Sequence, residues 1–181
     1  KYVAENIKRM ILKKPLIKPV SDRVGVTVAE NRQPYFPEWE SSFGPYIGRI
    51  ALSLWLLVGG SILFFFITIN SFEKREKIKF TIIYFILIIC IIFSRYKPES
   101  VLNGESMLSI IVYLGGIGLF LIYTGIYYYK SYKNGKEERF KDINFSNLLL
   151  LSFFFIGVIS ARGSVRTIMV LVPAASIMIA L

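Results

Sequence analysis

Three side chains stand where chemistry could be done: Glu30, Arg162 and Arg166. Val24, Val26 and Val28 alternate with Gly25, Thr27 and Ala29, which predicts an extended segment. Glu30 follows it directly, and Pro34 and Pro37 bar a helix from continuing. A carboxylate in such a loop can act on a substrate or simply be solvated, and the residues alone leave both open. Arginine stays protonated and presents a planar fork of donors that suits phosphate. Arg162 lies four residues before Arg166, so the two share a face if one helix continues through Gly163. The alternative is that both anchor helix ends by snorkelling to lipid headgroups. Glu99 and Glu105 flank a further loop and read as solvated.

Composition removes several kinds of chemistry. The chain has 181 residues with no histidine and one cysteine, Cys90. A Ser-His-Asp triad, a histidine zinc site and an internal disulfide are therefore excluded within it. Lys and Arg number 22 against 12 Asp and Glu, so the +10 balance calls for an anionic partner: lipid surface, phosphate or nucleic acid. The basic residues flank apolar runs instead of forming one stripe, which argues against nucleic acid and for a membrane.

The expected fold is an all-α polytopic membrane protein. Five apolar runs have the length and composition of membrane spans: about 45–70, 78–96, 107–129, 143–160 and 166–181. None shows the polar stripe at a 3.6-residue period that a soluble core helix carries. Residues 1–44 differ, mixing Lys with Ile and Leu, and read as an external loop segment preceding the membrane region 45–181. Its start could be an amphipathic helix ending near Pro15. The loop Ser71–Lys79 and the loop Lys130–Asp142 are rich in Lys and Arg and fall on one side, which the positive-inside rule places in the cytoplasm. Tyr123, Tyr127, Tyr128 and Tyr129 read as an interfacial belt, and Trp39 as a residue resting at the interface. Gly59, Gly60, Gly115, Gly116 and Gly118 are expected to permit close helix packing, and Cys90 to act as a small buried hydrophobe. The sequon Asn144-Phe145-Ser146 falls beside the cytoplasmic loop, where modification is not expected.

Two stretches resemble one family. Thr27-Val28-Ala29-Glu30 with Gln33-Pro34, then an aromatic-rich stretch and an apolar run, resembles the Thr/Ser-x-x-Glu motif in the last large external loop of the oligosaccharyltransferase catalytic subunit, most of all its archaeal branch. Val165-Arg166-Thr167-Ile168-Met169-Val170-Leu171-Val172-Pro173 resembles that family's stretch of Arg, apolar residues and Pro at the external mouth of a later helix. The motifs occur in the family's order and on the same expected side. Four apolar runs separate Glu30 from Arg166, against two helices in animal members, and an added hairpin keeps the sidedness. The family's early Asp-containing loop motifs and its Trp-Trp-Asp-Tyr-Gly signature are not in this sequence. The chain thus resembles the later part of a GT-C type membrane domain, a piece expected to be inactive alone.

The resemblance implies transfer of a lipid-linked oligosaccharide, from a dolichyl phosphate or pyrophosphate donor, to the Asn amide of an acceptor polypeptide bearing Asn-x-Ser/Thr. It implies the plasma membrane of an archaeon, with the active site on the external face. An amide nitrogen is a poor nucleophile because its lone pair is delocalised into the carbonyl. Glu30, accepting a hydrogen bond from the amide NH₂, would favour the twisted, reactive form. Glu30 would also ligate Mn²⁺ or Mg²⁺ with residues outside this chain. Arg166, and with it Arg162, would bind the donor phosphate. The competing readings are a transporter and a protein O-mannosyltransferase-like enzyme. The near absence of charge at the centres of the runs weighs against a transporter.

Overall fold

The structure, a computed structural model, describes residues 33–44, 46–48, 50–135 and 138–180. Chain elements run in the order α1 Phe36–Ser42, β1 Tyr46–Ile47, β2 Ile50–Ala51, α2 Leu52–Thr68, α3 Lys74–Phe93, α4 Met107–Lys133, α5 Glu138–Lys141, α6 Phe145–Gly163, a 3₁₀ turn Val165–Thr167, and α7 Ile168–Ile179. The chain is mostly helical. β1 and β2 form a small antiparallel hairpin with Tyr46 opposite Ala51 and Ile47 opposite Ile50.

Helices α4 and α6 are long and apolar enough to cross a membrane. At 1.5 Å per residue their 27 and 19 residues extend about 40 and 28 Å, against roughly 30 Å of hydrocarbon. The other runs fold into helices with different limits. α3 has 20 residues but opens on Lys74-Arg75-Glu76-Lys77, and α2 has 17. The fifth run does not start as a helix at Arg166. A 3₁₀ turn holds that residue, and the 12 residues of α7 extend about 18 Å. Pro173 sits inside α7, which leaves the Met169 carbonyl without its i+4 amide donor.

Outward faces of α4 and α6 are apolar. Ile110, Ile111, Leu114, Leu121, Ile122 and Ile126 on α4 are exposed, as are Leu149, Phe153 and Ile156 on α6. A surface of this kind is stable against lipid and costly against water. The interior is held by aromatic packing. Phe65 stacks on Tyr84 at 4.3 Å, and Phe120 and Phe155 meet Tyr84 edge-on. Two glycines bring helices close. A Cβ on Gly60 would overlap the Met178 carbonyl of α7, and one on Gly116 would lie 2.5 Å from Cys90 Cβ on α3. Gly59, Gly115 and Gly118 face open space, so the expected packing role belongs to Gly60 and Gly116 and not to them. Cys90 is half-buried at that contact.

The bundle has two distinct ends. At one, Phe72 and Phe80 pack against Tyr127, and Phe72 and Tyr127 against Phe140. This joins the α2–α3 turn to the α4–α6 connection, so the two basic loops share one end. Lys74, Arg75, Lys79, Lys130, Lys133 and Lys141 are exposed there. Tyr123 and Tyr127 are packed among the helices instead of forming a belt, while Tyr128 and Tyr129 are exposed. Asn144 caps α6, its side-chain oxygen accepting from the Ser146 amide at 2.9 Å, so the sequon asparagine serves as a helix start.

The other end is built around α1. Pro34 and Pro37 were expected to bar a helix, yet α1 begins at Phe36 and carries Pro37 in its first turn. The amide that proline lacks has no helical acceptor at that position, so the residue is tolerated. The Glu38 carboxylate accepts from the Tyr35 amide at 2.5 Å and closes the helix start. The Phe36 amide reaches the Arg95 carbonyl at 3.0 Å, and the Phe36 ring stacks on Phe93 at 4.7 Å. Trp39 is buried, 1% exposed, instead of resting at the interface.

Candidate anion-binding site

At the α1 end two arginines converge on one oxygen. Arg162 lies in the last turn of α6 and is buried. Its Nε donates to Ser94 Oγ at 3.2 Å and its Nη1 to Gln33 Oε1 at 2.9 Å. Ser94 Oγ in turn donates to the Ile91 carbonyl at 3.0 Å, which fixes it as an acceptor for the guanidinium. Arg95 follows α3 directly, and its Nη1 donates to the same Gln33 oxygen at 2.7 Å. The Arg95 Nε is buried with no hydrogen-bond partner among the described residues. Aromatic rings wall the pair. Arg95 lies over Tyr35 at 4.3 Å and Arg162 over Tyr113 at 5.4 Å.

The loop between α3 and α4 sets Arg95 in place. Its backbone bridges Asn103, and the Tyr96 amide donates to the Leu102 carbonyl at 2.7 Å. Gly104 has φ +87°, and the Arg95 side chain lies across it so closely that a Cβ would stand 2.8 Å from Cγ and Nη1. The loop ends at Ser106, whose hydroxyl accepts from the Ser109 amide and caps α4. Tyr113 follows about two turns into α4.

Electrostatically the site is one-sided. Two guanidiniums near enough to share an oxygen repel by on the order of 3 kcal/mol at an effective dielectric constant near 20. The Gln33 amide oxygen is neutral and offsets only part of this. Among the described residues no carboxylate pairs with either arginine. The arrangement suits a doubly accepting anionic oxygen, as on a phosphate. It does not suit a cation. Among the described residues no group of three or more Asp, Glu or Cys could hold a metal ion, so the described residues fit neither Mn²⁺ nor Mg²⁺.

The residues singled out from the sequence fare differently. Glu30 lies outside the described residues, as does the alternating segment before it. Gln33, three residues on, is at the centre of the cluster. Arg162 and Arg166 do not share a helical face. α6 ends at Gly163, Ser164 is extended with φ −156°, and Arg166 sits in the 3₁₀ turn. Arg162 therefore points into the bundle while Arg166 is exposed one turn beyond. Thr167 holds that turn, its hydroxyl donating to the Ser160 and Ser164 carbonyls at 2.5 and 2.6 Å. Arg95 joins the cluster although its local sequence does not mark it. Its meeting with Gln33 spans 62 residues of sequence and the Gln33–Arg162 contact 129, beyond the reach of local pattern. No known protein family, curated protein or solved structure matches the chain.

Proposed function

We propose that the chain is the later part of the membrane domain of an oligosaccharyltransferase, which moves a lipid-linked oligosaccharide to the Asn of Asn-x-Ser/Thr. One observation carries the reading. Gln33 Oε1 accepts from both Arg95 and Arg162, and so ties Gln33 to the helix end that precedes Arg166. Gln33 belongs to the first stretch that resembles the family, and its partner Arg162 lies on the helix end just before the second, although 128 residues of chain lie between Gln33 and Arg162. The reading places that end on the external face of an archaeal plasma membrane, and the basic loops in the cytoplasm.

In this account Glu30 is the catalytic carboxylate. It accepts a hydrogen bond from the acceptor amide NH₂ and so weakens the nitrogen's delocalisation. Arg166, exposed at the mouth of α7, binds the donor phosphate and stabilises the charge it gains as the glycosidic bond breaks. Arg162 lies behind it in the same cationic region. A divalent cation, Mn²⁺ or Mg²⁺, belongs to the reading, with Glu30 as its ligand from this chain. The test is glycan transfer from a lipid-linked donor to an Asn-x-Thr peptide by membranes holding the parent protein, with Mn²⁺ added. Transfer that is lost in Glu30→Gln at normal protein level supports the reading. Full activity in Glu30→Gln removes Glu30 as the catalytic group.

A further inference from the structure

Helix α2 is apolar but short. Its 17 residues extend about 25 Å, against roughly 30 Å of hydrocarbon. One face of it is open along its whole length. Leu52, Trp55, Leu56, Leu63, Phe66 and Ile67 recur at helical spacing and are all exposed. Gly59 fills the gap in that series, with nothing within 4 Å of its would-be Cβ. At the basic end the apolar residues that follow α2 turn inward, and Ile69 and Phe72 are buried. At the other end the residues that precede it turn outward. The hairpin β1–β2 leads straight into α2, and its two faces differ. Ala51, opposite Tyr46, is fully buried in the apolar core. Ile47 and Ile50 stand opposite each other, so their side chains share the other face. They are 64% and 57% exposed, and Tyr46 is half-exposed.

We infer that the hairpin is an interfacial anchor, with Ile47 and Ile50 resting in the headgroup–acyl boundary of the bilayer and completing the short span of α2. Length supports this first. A strand rises about 3.3 Å per residue, so the two-residue strands add up to about 7 Å, more than the roughly 5 Å that α2 lacks. Continuity supports it next. The exposed isoleucine pair stands directly before the exposed Leu52, at the head of the apolar stripe, and such a surface is stable against lipid and costly against water. Backbone chemistry then sets the depth. A two-stranded hairpin leaves the outer amides and carbonyls of both strands outside its ladder, and such groups are costly in dry hydrocarbon. The hairpin therefore stops at the wet boundary, a level that also suits the amphipathic ring of Tyr46. The inference goes beyond the proposed function, because it concerns how the chain meets the bilayer whichever reaction it serves. It rests on α2 lying in the bilayer beside α4 and α6.

The test is spin-label accessibility in the full chain, reconstituted in phosphatidylcholine vesicles. Ile47→Cys, Ile50→Cys, Leu63→Cys and Glu99→Cys are made one at a time in a Cys90→Ala background, which leaves a single thiol to label. All four labelled positions are exposed, so the label displaces no core side chain. Collisions with oxygen, which concentrates in lipid, are compared with collisions with a water-soluble nickel chelate. Leu63, on the stripe of α2, supplies the reference for hydrocarbon, and Glu99, in the α3–α4 loop, the reference for water. The labels at Ile47 and Ile50 should give an oxygen-to-nickel ratio several-fold above that at Glu99 and below that at Leu63. A ratio at both equal to that at Glu99 would stand the hairpin in water and overturn the inference. Shielding of both from oxygen and nickel alike would mean that protein covers this face, and would overturn it too. A ratio at both as high as at Leu63 would refute the boundary depth. A water-like ratio at Leu63 itself would take α2 out of the bilayer, and the inference with it. No glycan is involved in any of these readings, so a failure here is distinct from a failure of the transfer assay.

Discussion

Gly104 shows how much the candidate site depends on one backbone position. Its φ of +87° disfavours any side chain, and the stem of Arg95 lies across it. Gly104→Ala should cost about 1–2 kcal/mol in folded-state stability. It should also displace Arg95 from Gln33, and thermal unfolding in detergent would register the first effect. An unchanged midpoint would contradict it. At the opposite end, Glu76 pairs with Lys79 at 2.8 Å and accepts from Tyr123 at 3.2 Å. The Lys79 hydrogen bond, foremost, holds its carboxyl below the usual glutamate value, against a smaller opposing effect of burial. A carboxyl lowered on folding contributes stability that is complete above its unfolded pKa and lost as pH falls through its folded one. Glu76→Gln should therefore reduce stability at pH 7 by less than about 1 kcal/mol and leave that at pH 3 unchanged. Denaturation at the two pH values checks this, and an equal loss at both would contradict it. Sequence marked Arg162 and Arg166 because the guanidinium type suits phosphate. It paired them wrongly, because the break at Ser164 turns one inward and leaves the other exposed. Arg95 carried no local signal at all, since its side-chain partners, Gln33 and Tyr35, come from the chain before α1.

At the scale of helices, the apolar runs were legible because a bilayer-length stretch of Ile, Leu and Phe has few other uses. Their ends were less so. Lys74-Arg75-Glu76-Lys77 reads as a loop by charge, but it forms the first turn of α3. Trp39 and α1 were missed for a tertiary reason: Phe36 stacks on Phe93 and Tyr96, residues some 60 positions away, and that contact folds the segment inward. Neighbouring glycines separate packing from propensity. Gly59 has nothing within 4 Å of its would-be Cβ, whereas that of Gly60 overlaps the Met178 carbonyl. Gly59→Ala should be neutral or stabilise α2 by up to about 1 kcal/mol. Gly60→Ala should force α2 from α7 and cost roughly 1–3 kcal/mol or more. Parallel unfolding curves of the two variants test the pair, and similar behaviour would contradict the α2–α7 contact.

For the molecule as a whole, the arrangement separates a basic end from an end that holds the arginine cluster. Two of its helices are long and apolar enough to cross a membrane. If the proposed orientation holds, a membrane-impermeant maleimide on intact cells should label Glu99→Cys, in the α3–α4 loop. It should reach Asn134→Cys, after α4, only once the cells are opened. Labelling in the reverse order would invert the topology. The central claim, that the end joining Gln33 to Arg162 transfers glycan, is tested most directly by steady-state kinetics of the parent protein with a lipid-linked donor and an Asn-x-Thr peptide. The account predicts that Glu30→Gln lowers kcat by about 10²-fold or more. It predicts that Arg166→Ala lowers kcat/KM for the donor by roughly ten-fold or more, with the acceptor KM little changed in both. Wild-type kinetics in both variants, or no glycan transfer by the wild-type protein with any lipid-linked donor, would contradict it.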